Sequence, residues 1–173
     1  MNRFLFVALS LSFSIISSAA KVELFVELDP MGSFVAHSES VKGRAYQIGN
    51  GIKVQGLKVK MDSFKTGIGL RDRHMRDKYF KAKKFPYGYI VAQGQDGTFK
   101  GSLTLLKKKV PIEGTYKIEN KKVLAEFTCK ISDFGIDAPL YLGVGVDNEV
   151  KVKGEMEISP LPTKQKKSVK SKK

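Results

Sequence analysis

The sequence is short of the residues that most often carry chemistry. It has one cysteine, two histidines and no tryptophan in 173 residues. A lone Cys129 cannot close an intramolecular disulfide, and it excludes a cysteine-based zinc site and a C-x-x-C-H haem attachment. His37 and His74 lie far apart and match no metal-ligand spacing. After the first twenty residues, no apolar run approaches the ~18 residues that a membrane-spanning helix needs. Acidic residues are scarce against basic ones, 17 to 31, which leaves a net charge of +14.

What is present begins with the two ends. Residues 1–20 have the three parts of a secretory signal peptide. Arg3 supplies the positive start, residues 4–16 an apolar run, and Ser18-Ala19-Ala20 the small residues for cleavage before Lys21. No cysteine follows the run, so a lipid-modified N-terminus is not expected. The expectation is a protein exported to the periplasm and soluble there. Residues 163–173, TKQKKSVKSKK, hold six lysines, no acid and one apolar residue, Val169. Such a tail buries too little surface to offset the entropy of ordering it, so disorder is expected. The folded domain is then 21–162. Removing Arg3 and the six tail lysines from +14 leaves it +7. An exported chain meets little nucleic acid, so none is expected as a partner. The tail suits an anionic envelope surface, or it serves solubility alone.

Between the ends the dominant signal is alternation with period two. Val22, Leu24, Val26 and Leu28 share one face, as do Phe99, Gly101, Leu103 and Leu105. The same holds for Val110, Ile112, Gly114, Tyr116 and Ile118, for Val123, Ala125, Phe127, Cys129 and Ile131, and for Val150, Val152, Gly154, Met156 and Ile158. Each run reads as a strand with one apolar and one wet face. Gly49-Asn50-Gly51, Gln95-Asp96-Gly97 and Glu119-Asn120-Lys121 read as turns between strands. From Ile52 to Met61 the apolar phase slips at Gly56, which a β-bulge explains. About eight strands, mostly in adjacent hairpins, favour an antiparallel barrel or sandwich. One stretch breaks the pattern. In residues 70–85, LRDRHMRDKYFKAKKF, the residues Met75, Tyr79 and Phe80 share a helical face at spacings of four and five. A short amphipathic helix, or a helix followed by a turn, is expected to end before Pro86 and to cap one end of the barrel.

Glycines recur on inward faces at Gly101, Gly114 and Gly154, with Gly43 a further candidate. They weaken strands, so they need a reason. Either they leave a lumen, or they let the barrel bend sharply. The remaining inward residues are apolar, so any lumen is dry and suits an apolar chain molecule. No catalytic constellation stands out. Asp72 and His74 with Ser63 or Thr66 do not sit in a nucleophile motif. Asp72 is expected to cap or pin the helix while Arg71 and Arg76 make ion pairs. Gly67-x-Gly69 lacks a phosphate-loop context. Cys129 on an apolar strand face reads as a buried, inert thiol. The expectation is a protein that is not an enzyme.

Within KVKMDSFKTGIGLRDRHMRDKYFKAKKFP, Ser63 and Thr66-Gly67 lead into Arg71-Asp72, His74-Met75-Arg76, Tyr79-Phe80 and Phe85-Pro86. Gly101-Ser-Leu-Thr-Leu, Val110-Pro111-Ile112, Ser132-Asp133-Phe134-Gly135-Ile136 and Asp147-Asn-Glu-Val150 follow in order. This sequence resembles the YceI-like family of exported lipid-binding proteins over essentially all of 21–160. In place of the family's usual glycine after the Leu-Thr-Leu strand it has Leu106-Lys107-Lys108-Lys109. The resemblance implies an all-β fold, a lipocalin-like extended antiparallel β-barrel of about eight strands with one short helix lidding one end. It also implies a lumen holding an isoprenoid quinone, a polyisoprenoid or a fatty amide.

The expected function is therefore a periplasmic carrier of a long-chain apolar ligand, with no cofactor and no metal beyond such a lipid. Expected ligand-binding residues in the lid are Leu70, Met75, Tyr79, Phe80 and Phe85. In the wall they are Phe99, Leu103, Ile112, Tyr116, Phe127, Ile131, Phe134 and Met156. Arg71, His74 and Arg76 are candidates for a polar head group. The alternative is an envelope interaction protein that binds anionic lipid or polymer through its basic surface and tail. Either reading leaves a homodimer open.

Overall fold

Alternating apolar and polar residues can bury one face only if the strands curl that face inward, and the sheet does so. The computed structural model describes residues 20–30, 32–138, 140–141 and 144–161. The expected signal peptide, apart from Ala20, and the expected lysine tail lie outside these residues. Ten strands are present among them: β1 Ala20–Asp29, β2 Ser33–Ser38, β3 Val41–Ile48, β4 Gly51–Lys60, β5 Tyr87–Gln95, β6 Thr98–Leu105, β7 Lys108–Glu119, β8 Lys122–Lys130, β9 Leu140–Tyr141 and β10 Val144–Glu157. Their order is β2-β1-β10-β8-β7-β6-β5-β4-β3, all antiparallel, with the two-residue β9 beside β10. The antiparallel barrel reading holds, with two strands more than the eight counted from the pattern.

Most neighbours are hairpins, but β10 returns from the far end of the chain to lie between β1 and β8. The first strand therefore pairs with the last, Ala20 opposite Met156 and Val26 opposite Val150. The sheet's two ends, β2 and β3, are not laddered to each other. The curl is completed by a parallel bridge of Ala45 to Ile158 and an antiparallel bridge of His37 to Lys65. Ser159 N donates to Ala45 O at 2.7 Å, and His37 and Lys65 exchange two bonds of 2.9 Å. The result is a barrel with a seam between β2 and β3.

The phase slip in β4 is the expected bulge. Val54 pairs with Ala92, but the next inward residue, Leu57, pairs with Ile90, and Gly56 takes φ +60° to make the step. A side chain there would be strained in the left-handed region, which is why glycine marks the site. Inside, the core runs continuously from Ala20, Val123 and Met156 at one end to Met61, Phe64 and Phe134 at the other. At mid-barrel Phe99 and Phe127 meet edge to face, with centroids 6.1 Å apart.

The inward glycines divide by role. A Cβ at Gly101 would lie 2.3 Å from Val91 O, and one at Gly114 would lie 2.2 Å from Glu126 O and 2.8 Å from Phe127 Cβ. These positions let strands and rings approach closely. Gly43 likewise sits against the Leu57 backbone. At Gly154 a Cβ would meet nothing within 4 Å, so this inward glycine faces open space. Close approach therefore accounts for Gly101, Gly114 and Gly43, and Gly154 is the position left beside open space.

Candidate functional site

Residues 61–86 cross one end of the barrel. The excursion leaves β4 through a 3-10 turn, Met61–Ser63, and returns at β5, its ends joined by Met61 N donating to Pro86 O at 2.9 Å. Ser38, 1% exposed, meets Ser63 Oγ at 2.7 Å, which with the His37–Lys65 bridge fastens the excursion to the edge of β2. The helical part is α1, Gly69–His74, continuing into a π turn, Met75–Tyr79. Phe80 N donates five residues back to Met75 O at 2.8 Å. That wider turn brings Met75 and Phe80 to the same buried side at a spacing of five, as the sequence spacing implies. Phe80 packs on Phe64, centroids 5.5 Å apart, and Ala82 is buried beside the same cluster.

Polar groups hold this lid in place. Asp72 accepts from Thr66 N at 2.8 Å and from Thr66 Oγ1 at 2.7 Å. These bonds hold its carboxyl below the usual carboxylate range. Asp72 thus pins the loop before α1. Arg76 makes its ion pair with Asp77, through Nε at 2.9 Å and Nη2 at 2.8 Å. Arg71 instead lays its guanidinium 4.1 Å over the Phe34 ring. The Asp72 carboxylate is engaged with Thr66, and His74 is exposed.

Beneath the lid the barrel wall is apolar. Leu57, Ile90, Leu103 and Val110 form one inward row across β4, β5, β6 and β7 by their pairing registers. Each faces the interior yet is only partly buried, so the row retains accessible apolar surface. Cys129 from β8 and Ile131 from the 3-10 turn that follows it extend the partly buried inward set, as do Leu24 and Val146 from β1 and β10. Burial, with Asp133 nearby, pushes the Cys129 thiol up to about 11, so it carries almost no thiolate at neutral pH. Farther down the barrel, Tyr116, Ala125, Gly154 and Val22 lie in one row, with the open space at Gly154.

The expected site residues separate accordingly. Leu103 and Ile131 lie on the partly accessible wall. Met75 and Phe80 are buried under the lid, with Tyr79 and Phe85 half-buried at its margin. Phe99, Ile112, Tyr116, Phe127, Phe134 and Met156 are inward but closed in the core, Phe134 to 2% exposure. Leu70 points to solvent at 58% exposure. Arg71 and Arg76 are partly buried and His74 is exposed. Pattern reading passed over Leu57, Ile90 and Val110 as wall residues, although the period-two phase of β7 and the bulge at Gly56 already set two of them inward. Among the described residues no group of three His, Cys, Asp or Glu is placed to hold a metal.

Two surface clefts lie on charged strand faces. One, about 450 Å³, is lined by Lys21, Glu23, Glu126, Lys153 and Glu155 together with Tyr116, Ala125 and Gly154 of the row just described, and the second, about 380 Å³, by Lys53, Gln93, Lys100 and Lys109 among others. The first is crossed by ion pairs, Lys153 and Lys151 to Glu126 and Lys21 to Glu155. Both mix charged with apolar lining, unlike the row of Leu57, Ile90, Leu103 and Val110.

Fold and site together define a curled antiparallel β-barrel with an apolar interior under a short helical lid. Residues 18–158 match the YceI-like domain, and the chain belongs to that family. No curated protein matches the sequence. Three solved structures share the fold. Burkholderia cenocepacia BcnA aligns with TM-score 0.62 at 14% identity, over 81% of this chain and 96% of its own. A polyisoprenoid binding domain from Saccharophagus degradans, implicated in plant cell wall breakdown, aligns with TM-score 0.56 at 11% identity, over 83% and 99%. A mutant CJ YceI protein with a monobromobimane guest aligns with TM-score 0.51 at 16% identity, over 91% and 94%.

Proposed function

We propose that this protein is an exported, periplasmic carrier that holds a long-chain apolar or amphiphilic molecule inside its barrel. The observation that carries the reading is the inward row of Leu57, Ile90, Leu103 and Val110, which keeps accessible apolar surface under a lid sealed by Met75 and Phe80. An apolar chain against that wall is held by exclusion of water, at ~25 cal/mol per Å² of apolar area buried. Tight binding then needs few polar contacts, and the wall offers few. Arg71, half-buried over Phe34 at the edge of the lid, is the side chain best placed for a polar head.

The family and the polyisoprenoid-binding domain of the same fold support a lipid of isoprenoid or fatty type as ligand. The reading involves no chemical step. Asp72 is committed to Thr66, and the Cys129 thiol is held protonated. Export rests on residues 1–20, and a periplasmic setting gives a reason for the barrel, since apolar molecules do not cross water unaided.

Organic extraction and native mass spectrometry of the purified protein test the proposal. A co-purifying lipid, or uptake of an isoprenoid quinone or fatty amide at one per chain, is expected. No bound lipid and no uptake of either ligand would overturn it.

A further inference from the structure

The folded domain's charge is concentrated in one place. Of the +7 left to residues 21–162, the twenty residues 65–84 carry +6, from eight Lys and Arg against Asp72 and Asp77. The rest of the barrel is nearly neutral, and its outer face is laced by ion pairs. Lys117 meets Glu119, Lys122 meets Glu155, and Lys151 and Lys153 meet Glu126. In the lid, by contrast, the ion pair among the described residues is Arg76 with Asp77. Arg73, Lys78, Lys81, Lys83 and Lys84 are exposed and stand in no ion pair among those residues.

The same surface carries two aliphatic side chains that the core does not use. Ile68 is 51% and Leu70 58% exposed, at the start of α1. Leu70, Arg73, His74, Asp77, Lys78 and Lys81 follow one another at helical spacing along the outward side, while Met75 and Phe80 turn inward. Unneutralised cations around exposed aliphatic residues are the composition of a surface that rests on anionic head groups and places apolar side chains at the acyl boundary. A purely polar polyanion would make no use of Ile68 and Leu70.

We propose that the outer face of the lid is a docking surface for anionic phospholipid bilayers, with Ile68 and Leu70 entering the interface. This goes beyond the carrier reading, and the two can fail separately. Docking is read on vesicles, whereas ligand uptake is read in solution by mass spectrometry.

The absence of tryptophan makes the test direct. Leu70→Trp places a single indole at the surface in question, and the exposed position tolerates the larger ring. Vesicles of phosphatidylcholine with phosphatidylglycerol are expected to shift the tryptophan emission of this variant to the blue, and brominated acyl chains to quench it. Phosphatidylcholine alone should do neither, and ~1 M salt, with a Debye length of about 3 Å, should reverse the effect. Ile68→Ser is expected to weaken vesicle partitioning by about tenfold or more, and Arg73→Glu with Lys83→Glu to abolish it at the same thermal midpoint. Should Leu70→Trp fail to fold, Ile68→Trp reports the same contact. Sedimentation with anionic vesicles while the tryptophan emission stays unchanged would overturn the proposal, because the lysine tail alone would then account for retention. Partitioning indifferent to both aliphatic and charge variants would overturn it equally.

Discussion

Substitution at Gly154 separates an open interior from a merely curved one. An ideal Cβ there meets no atom within 4 Å, and its neighbours in the row are the small Ala125 and Val22. Gly154→Leu removes the conformational cost of a strand glycine, about 0.5–1 kcal/mol. It also buries part of a side chain whose full burial is worth about 1.5–3 kcal/mol. A net gain of about 1–2 kcal/mol follows, or a rise of about 3–6 °C in thermal midpoint. Gly114→Ala is the control. Its Cβ would press to 2.2 Å from Glu126 O, and overpacking of this kind costs about 1–3 kcal/mol. The two variants should therefore move the melting transition in opposite directions. A ligand chain occupying the space at Gly154 would lose room for up to four carbons, each worth ~0.8 kcal/mol, so its affinity should fall by up to about 200-fold. Circular dichroism melts and a quinone titration measure the two effects. If Gly154→Leu is destabilised as much as Gly114→Ala, the space does not exist. A stable Gly154→Leu with wild-type affinity would show that the ligand chain does not reach it.

The remaining predictions concern turns, protons and the seam. Leu106 and Lys107 form a two-residue turn with φ of +51° and +67°, where Asn-Gly is the favoured pair. Lys107→Gly should raise stability by about 0.5–1 kcal/mol in urea unfolding, and a loss would refute the strain argument. Because Asp72 titrates below an unfolded aspartate, its contribution is complete above about pH 4 and is lost as pH falls through the folded value. Thr66→Val should move its NMR-detected titration upward, and an unmoved curve would show that Thr66 is not the cause. With the Cys129 thiol raised from 9.0 to about 11, its thiolate fraction at pH 7.5 is about 100-fold below that of a free thiol. Disulfide-reagent labelling of the native protein should be correspondingly slow, and labelling at the free-thiol rate would contradict the burial. Backbone amides of His37 and Lys65, which bond across the seam, should exchange hydrogen sooner than those of the β7–β8 ladder. Equal protection would mean that the seam is as firm as the sheet.

Where strands bury large residues and expose charged ones, the sequence was legible. β10 alternates Val, Val, Gly, Met with Lys, Lys, Glu, Glu, and its register follows that pattern to the residue. The bulge at Gly56 was readable because it breaks an otherwise clear phase. Two strands were hidden by inversion or dilution of the same signal. In β5 the inward set is Gly88, Ile90, Ala92 and Gly94 while Tyr89 and Val91 face water, so the polarity runs opposite to expectation. In β2 the inward residues are Phe34, Ala36 and Ser38, and the buried Ser38 hydroxyl is satisfied by Ser63 from the lid together with the Ser40 N–H. Neither partner of such a contact is marked by local pattern. The site divides the same way. Large inward aromatics such as Phe99 and Phe127 are conspicuous in sequence, but size makes them fill the core, and the residues left accessible are the medium-sized Leu57, Ile90, Leu103 and Val110. Periodicity gives the face of a side chain, whereas accessibility depends on what packs over it across the barrel.

The lid joins features that would otherwise be unrelated. Its buried side, Met75, Phe80 and Ala82, seals the interior, and its root, through Ser63 and Lys65, fastens the otherwise unpaired edge of β2. Its outer side holds nearly all of the domain's uncompensated charge. The π turn is what lets one short segment do both, because the five-residue step keeps Met75 and Phe80 together underneath while Arg73, Lys78 and Lys81 stay outside. A regular α-helix would rotate Phe80 away from Met75 by about 140°, since five residues at 3.6 per turn overshoot one turn by that angle. The contact with Phe64 would then be lost or the cations would be drawn toward the apolar interior. The local irregularity in the helix is therefore a condition for having an apolar chamber and a cationic outer surface on the two sides of a single thin element.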